Sequence, residues 1–343
     1  MSNKPTSYNG NPNLKQIGTT ISYTKEQVTE IIKCSQDPIY FIENYCQIVS
    51  LDRGLIPFKL YDCQKEKVHT ILNNRKVILM EGRQQGKTIT SAACILWYTL
   101  FQENKTVAIL ANKSSAAREV LSRYELMYEM LPMWMQQGVK TFNKGDIELE
   151  NGSKVFTAAT SSSGIRGKSV NWLYIDEAAI IPNNVAEDFF TSVYPTISAG
   201  NTTKILLTST PLGYNHFWKF WNEAEQGLNG FVPLFIPYSR IPGRDEKWNQ
   251  DQVRALGSME SFLQEFECQF LSTGDSSIDE GLFYDLSQSC CDPKIILDEG
   301  HYRIWEEPDP DKLYVVGVDI SEGVGIDASV IQILDITDIK AIK

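Results

Sequence analysis

The stretch Val77-Ile78-Leu79-Met80-Glu81-Gly82-Arg83-Gln84-Gln85-Gly86-Lys87-Thr88 decides the fold class of this chain. Four consecutive apolar residues ahead of a Gly- and Gln-rich turn predict a buried strand, and the residues from Thr88 onward predict a helix. A loop between a strand and a helix N-terminus presents backbone N–H groups to an anion, which is how phosphates are cradled. Lys87 is placed to reach the β- and γ-phosphates and Thr88 to hold Mg²⁺. Gly82, Arg83, Gln84, Gln85, Gly86, Lys87 and Thr88 are therefore the expected ATP-binding loop. The usual spacing puts the first glycine five residues before Gly86, where this chain has Glu81, and Gly82 comes one place late.

Working outward, the apolar runs Val107–Ala111, Trp172–Ile175, Ile205–Thr208 and Phe231–Ile236 alternate with helical or loop stretches, the pattern of an α/β fold with a parallel central sheet. Trp172–Ile175 ends in adjacent carboxylates: Asp176 is suited to the Mg²⁺ shell and Glu177 to activating the attacking water, so ATP hydrolysis is expected. Ile205–Thr208 continues into Ser209 and Thr210, hydroxyls that would lie beside the γ-phosphate. Upstream, Gln64 can pair with an adenine edge and Tyr61 can stack on the base. Asn151-Gly152 between Ile147–Leu149 and Val155-Phe156 predicts a hairpin turn.

Of 343 residues, 42% are hydrophobic and 22% charged, which excludes a mostly disordered, collagenous or coiled-coil chain. No apolar run reaches membrane-spanning length, so no membrane partner is expected. Seven cysteines without Cys-x-x-Cys spacing and three separated histidines argue against zinc and for free thiols in a reducing compartment. The net charge of −11 is uneven: residues 275–312 hold eleven acidic and three basic residues, 313–343 five and two, leaving 27 of each sign in 1–274. The neutral first part neither excludes a nucleic-acid partner nor offers a basic footprint.

The expected organisation is a polar, frayed N-terminus with short helices broken at Pro38 (1–55), the α/β core (56–237), a helical segment with one helix over Gln250–Leu271 (238–274), an acidic linker (275–312), and two strand-like runs around a Gly-rich turn (313–343).

With these residues assembled, the sequence resembles the large terminase subunit of tailed bacteriophages, in the contractile-tail (T4-type) branch. The resemblance rests on Leu60–Gln64, Gly82–Thr88, Ser161–Gly167, Leu173–Ala178, Thr208–Gly213 with Asn215–Phe217, Phe262–Phe270 and Val316–Asp319. It implies a RecA-like P-loop ATPase with a small helical subdomain, joined to an RNase H-like nuclease. It further implies packaging of double-stranded DNA into a procapsid through a portal protein. A small terminase subunit and a homo-oligomeric ring on the portal, in the host cell cytoplasm, go with that role. Carried over by position, Arg83 is the loop arginine that senses the γ-phosphate, and Gln64 is the adenine reader. Thr208, Ser209 and Thr210 couple hydrolysis to movement, and Arg166 is a loop arginine that could serve a neighbouring subunit's site or make a plain phosphate or DNA contact.

On the nuclease side, Asp319 ends an apolar run, and a turn centred on Gly323 would set Asp327 opposite it. Two facing acids suit Mg²⁺ or Mn²⁺. The family needs further acids from later strands, so this sequence is expected to be truncated early in that domain and not to cleave DNA alone. Two other readings stay open: a helicase-type ATPase, since Asp176-Glu177-Ala178-Ala179 resembles a helicase box, and a non-catalytic remnant that binds portal or small subunit.

Overall fold

Both faces of each central strand are covered, which is why the strand interiors, such as Val77–Met80 and Trp172–Ile175, are apolar without alternation. The computed structural model describes residues 6–160, 165, 168–198, 200–271, 291–298, 301–320 and 329–337. By internal contacts the chain divides into two units, residues 1–276 and 277–343.

In the first unit, α1 (Lys25–Gln36) and α2 (Pro38–Tyr45) precede the hairpin β1 (Gln47–Ser50) and β2 (Gly54–Pro57), then α3 (Asp62–Asn73) and β3 (Lys76–Glu81). The chain continues through α4 (Lys87–Phe101), β4 (Thr106–Ala111), α5 (Ser114–Glu129), β5 (Val139–Asn143), β6 (Asp146–Leu149), β7 (Lys154–Ala159) and β8 (Trp172–Asp176). It closes with α6 (Asn183–Ser198), β9 (Lys204–Ser209), α7 (His216–Glu225), β10 (Val232–Ile236), α8 (Glu246–Leu256) and α9 (Met259–Glu265). Eight strands form one sheet in the order β10-β3-β9-β8-β4-β7-β6-β5. The first six are parallel, and β6 and β5 extend the edge antiparallel. The α/β expectation holds, including the hairpin turn at Asn151-Gly152, where Ile147 pairs with Val155.

Alternation along the strands feeds two cores. Val77, Leu79, Val107, Ile109, Trp172 and Tyr174 pack with residues of α3, α4 and α5 on one side. Ile78, Met80, Ala108, Leu110, Leu173 and Ile175 pack with α6 and α7 on the other. All the parallel strands point their C-terminal ends the same way, and in such sheets that end is where ligands bind.

Other expectations need correction. The N-terminus is not frayed from residue 6 onward: Leu14 and Lys15 are buried, Val139 N–H donates to the Lys15 carbonyl at 2.8 Å, and Gln16 bridges Val139. This segment covers an edge strand that would otherwise expose unpaired backbone groups. The single helix over 250–271 is two, because Gly257 ends α8 at φ 71° and Ser258 starts α9 by accepting the Ser261 N–H at 3.2 Å. Hairpin β1–β2 was not foreseen and straddles the expected boundary at 55/56. The acidic stretch holds a short antiparallel pair, β11 (Ile295–Leu297) with β12 (Tyr302–Ile304).

The second unit also holds the hairpin β13 (Tyr314–Asp319) and β14 (Val330–Asp335). The two runs are strands as expected, but Asp319 pairs with Val330, so the Asp319–Asp327 register is wrong. Residues 320–329 connect the two strands, and Gly323 and Asp327 lie outside the described residues. Asp319, although it ends an apolar run, is exposed. Among the described residues no helix is long and apolar enough to cross a membrane.

Candidate active site

Strand β3 ends on Glu81, which is fully buried against Lys67 of α3: the Lys67 Nζ lies 2.8 Å from Oε1 and 2.6 Å from Oε2. Burial pushes the Glu81 carboxyl upward, while Lys67, Lys87 and Arg244 pull it down. The position where a glycine was expected therefore anchors the loop from beneath. Beyond it, Gln84 (φ 60°) and Gly86 (φ 83°) take left-handed backbone conformations that turn the chain into α4. A Cβ on Gly86 would also come within 2.5 Å of the Gln64 Nε2. Gly82 is needed for another reason, since a Cβ there would stand 2.8 Å from the Phe266 carbonyl.

Gln64 is buried on the first turn of α3. Its Oε1 accepts the Tyr61 N–H at 3.1 Å and its Nε2 donates to the Gln85 carbonyl at 3.1 Å, tying helix start to loop. With the amide nitrogen of Gln85 turned toward β10, that side chain donates to the Ile236 carbonyl and accepts the Gly82 N–H, both at 3.2 Å. Tyr61 is exposed beside it.

The carboxylates arrive from the sheet. Pairing of β8 with β9 sets Asp176 against Thr208, and β9 in turn pairs with β3. Asp176 accepts from Thr88 Oγ1 at 3.1 Å on Oδ2, and from Thr208 Oγ1 at 2.8 Å and its neighbour's N–H at 3.1 Å on Oδ1. Since Thr208 gives its proton to Asp176, the Tyr174 hydroxyl must donate to Thr208 across 3.3 Å. Burial and the Asp176 charge hold that phenol well above its ordinary pKa, so it keeps the proton. Glu177 sits in the left-handed region (φ 51°, ψ 47°), which swings its carboxylate back over the loop. Its Oε1 lies 3.1 Å from the Lys87 Nζ, and its Oε2 is buried without a partner among the described residues. Ser209 Oγ accepts the Ala179 N–H at 3.0 Å, and Thr210 is buried beside it.

The structure thus brings Gln64, Gly82–Thr88, Asp176, Glu177 and Thr208–Thr210 to one end of the sheet. Arg83 is also there, held by Glu265: its Nε lies 2.6 Å from Glu265 Oε2, and its backbone N–H donates to the Glu265 carbonyl at 2.9 Å. Arg166 lies outside the described residues, and Asp319 belongs to the other unit.

Sequence reasoning missed Lys67, Arg244 and the role of Glu265. Arg244 donates to the Gln84 carbonyl at 2.6 Å and the Arg83 carbonyl at 3.3 Å, while its guanidinium lies over the Trp248 ring. Nothing local marks such a residue; only the fold of α8 and α9 onto the loop does.

Comparison with known proteins agrees with this geometry. Two curated relatives, the terminase large subunits of Thermus phage G20c and Thermus virus P23-45, are 27% identical over 197 residues. The match takes in 52% of this chain and 37% of each relative, so the chain spans little more than a third of their length. Among solved structures, the HK97 bacteriophage large terminase aligns with a TM-score of 0.59 at 17% identity, over 84% of this chain and 62% of that one. The large terminase ATPase domain of Thermus phage P74-26 aligns with a TM-score of 0.50 at 19% identity, over 62% and 95%. These likenesses show the fold. Residues 78–283, more than half of the chain, match the family described as "Terminase large subunit, T4likevirus-type, N-terminal", and to that family the chain belongs.

Proposed function

We propose that this chain hydrolyses ATP at the ends of β3, β8 and β9, as the motor part of a large terminase that drives double-stranded viral DNA into a procapsid. One observation carries the reading. Lys87 and Thr88 of the loop each meet a carboxylate about 90 residues further along, Lys87 on Glu177 and Thr88 on Asp176, both at 3.1 Å.

The loop amides and the N-terminus of α4 hold the phosphates, and Lys87 neutralises their charge. Tyr61 and Gln64 are proposed at the base, where Gln64 would have to release the Gln85 carbonyl or read adenine with its remaining capacity. Water attacks the γ-phosphorus, the bond to the β-phosphate oxygen breaks, and ADP and inorganic phosphate leave. Glu177 Oε2 has no competing partner among the described residues and accepts the proton of that water. Thr88 Oγ1 and Asp176 Oδ2 are hard oxygen donors already within reach of one another, the donor set Mg²⁺ prefers. Bound there, Mg²⁺ would neutralise charge developing on the β- and γ-phosphate oxygens.

Arg83 must leave Glu265 before it can touch a γ-phosphate, and Arg166 is proposed for the same charge from a neighbouring subunit. Thr208, Ser209 and Thr210 stand between the Mg²⁺ ligand and the turn after Glu177, a position from which loss of phosphate can be passed on. The partners proposed with this role are DNA, a portal protein, a small terminase subunit and further copies in a ring, in the host cytoplasm. Asp319 is proposed as an acidic residue of the nuclease half.

The test is ATP turnover and nucleotide binding by the purified chain. Lys87→Ala should lose nucleotide binding, whereas Glu177→Gln should keep it and lose hydrolysis by about 10²–10⁴-fold. Glu177→Gln turning over at the wild-type rate would overturn the assignment.

A further inference from the structure

Glu177 is a non-glycine residue in left-handed backbone geometry, a conformation that persists only where its surroundings enforce it. Part of the enforcement is local, the Ile180 N–H donating to the Glu177 carbonyl at 3.0 Å. The rest comes from the start of α7. Asn215 Nδ2 donates to the Ala179 carbonyl at 2.7 Å, and His216 Nε2 lies 2.8 Å from the Ala178 carbonyl. On the other side of the ring Nδ1 lies 3.0 Å from Asn183 Oδ1, which accepts the His216 backbone N–H at 3.2 Å. Both ring nitrogens face acceptors, and the neutral ring that burial favours has one N–H, which the shorter contact assigns to Nε2 and the Ala178 carbonyl. Asn215 has two separable jobs. Its Oδ1 caps α7 by accepting from Phe217 N–H at 2.9 Å and Trp218 N–H at 3.4 Å, while its Nδ2 alone reaches the turn.

We propose that Asn215 and His216 are positioning residues for Glu177. Between them they grip both carbonyls of the turn that follows it, Ala178 and Ala179, and so hold the carboxylate over the loop, with Oε1 on Lys87 until a phosphate takes the lysine and Oε2 turned to the side from which water attacks. The same grip makes α7 and the Glu177 turn move as one piece. The proposal rests on Glu177 being the residue that activates water.

Three variants of the full chain separate positioning from simple structural support. Asn215→Asp keeps a good helix cap but replaces the N–H donor with an oxygen. His216→Gln keeps a donor for the Ala178 carbonyl, and His216→Phe fills the space without one. Asn215→Asp and His216→Phe should lower kcat about tenfold while KM for ATP and affinity for a non-hydrolysable analogue stay within about twofold, the pattern of a lost transition-state contribution. His216→Gln should restore most of the turnover, and melting temperatures should stay close to wild type. The proposal is overturned if all three variants turn over normally, if His216→Gln is as impaired as His216→Phe, or if kcat falls only in step with analogue affinity or melting temperature. Glu177→Gln is run alongside: its hydrolysing at the wild-type rate would sink the underlying reading instead, whatever the other variants do.

Discussion

Two strands of this chain read alike as sequence: Trp172-Leu173-Tyr174-Ile175-Asp176 and Tyr314-Val315-Val316-Gly317-Val318-Asp319, each an apolar run ending in aspartate. In the fold they are opposites. Strand β8 lies inside an eight-stranded sheet, buried at every residue, and its aspartate accepts hydrogen bonds from Thr88, Thr208 and the backbone. Strand β13 has a single antiparallel partner, most of its side chains are exposed, and its aspartate stands across from Val330. An acidic residue closing an apolar strand is thus only half a signal. What gives it chemistry is a second strand that aims hydroxyls and a loop at it.

The largest test of that contrast is Asp176→Asn beside Asp319→Asn. Asp176→Asn should cut ATP turnover by at least about 10²-fold, because an amide cannot accept from two threonine hydroxyls and the Glu177 N–H as an anion does. Asp319→Asn should leave turnover and melting temperature unchanged. Equal losses in both would show that burial does not separate the two sites.

Next in size is Lys67→Met, which strands the Glu81 carboxylate with no cation at hydrogen-bonding distance. Removing one partner of a buried pair costs about 3–5 kcal/mol, so chemical denaturation should show a marked drop in midpoint. Lys67→Met with Glu81→Leu together should recover most of it. A single variant as stable as wild type would mean that water reaches this pair.

The smallest effect is at Glu125 on α5, half-buried beside Glu129, where burial and that neighbour push the carboxyl up to about 7. The folded state then holds a proton that the unfolded state has released, so stability falls as pH rises from about 4.5 toward 7. Glu125→Gln should leave stability near its wild-type value at pH 4 and raise it at pH 8 by about 1 kcal/mol, allowing for solvent screening. Melting curves at the two pH values give the difference, and a variant that gains nothing at pH 8 refutes it.

Where the sequence was legible, the information was local. Val77–Met80 is apolar because both faces of the sheet are filled, and Gly86-Lys87-Thr88 sits where a helix must begin, so the loop and its lysine could be located from the chain alone. Asp176 and Glu177 were found because their strand has the same character. Arg244 and Lys67 escaped because their partners lie 160 and 14 residues away across tertiary contacts that no spacing encodes. Asn215 and His216 stood inside a quoted motif, yet their partners at Ala178 and Ala179 emerge only when α7 docks under the turn. The Asp319–Asp327 register fails because pairing stops at Asp319 and Val330, and a glycine pair between two strands does not encode where their pairing ends.

The contact between Lys87 and Glu177 has a further consequence. This lysine already carries a counter-ion of its own, a carboxylate 3.1 Å away. A triphosphate that takes the lysine therefore exchanges one anion for another instead of adding negative charge to a bare cation. The electrostatic gain of entry is smaller than the loop's contacts alone imply, and dissolved salt, which competes for exposed charge, has less to weaken. Arrival of the phosphates also releases Glu177 from the lysine at the moment its carboxylate is needed at the water, so occupancy and readiness are set by one exchange of partners.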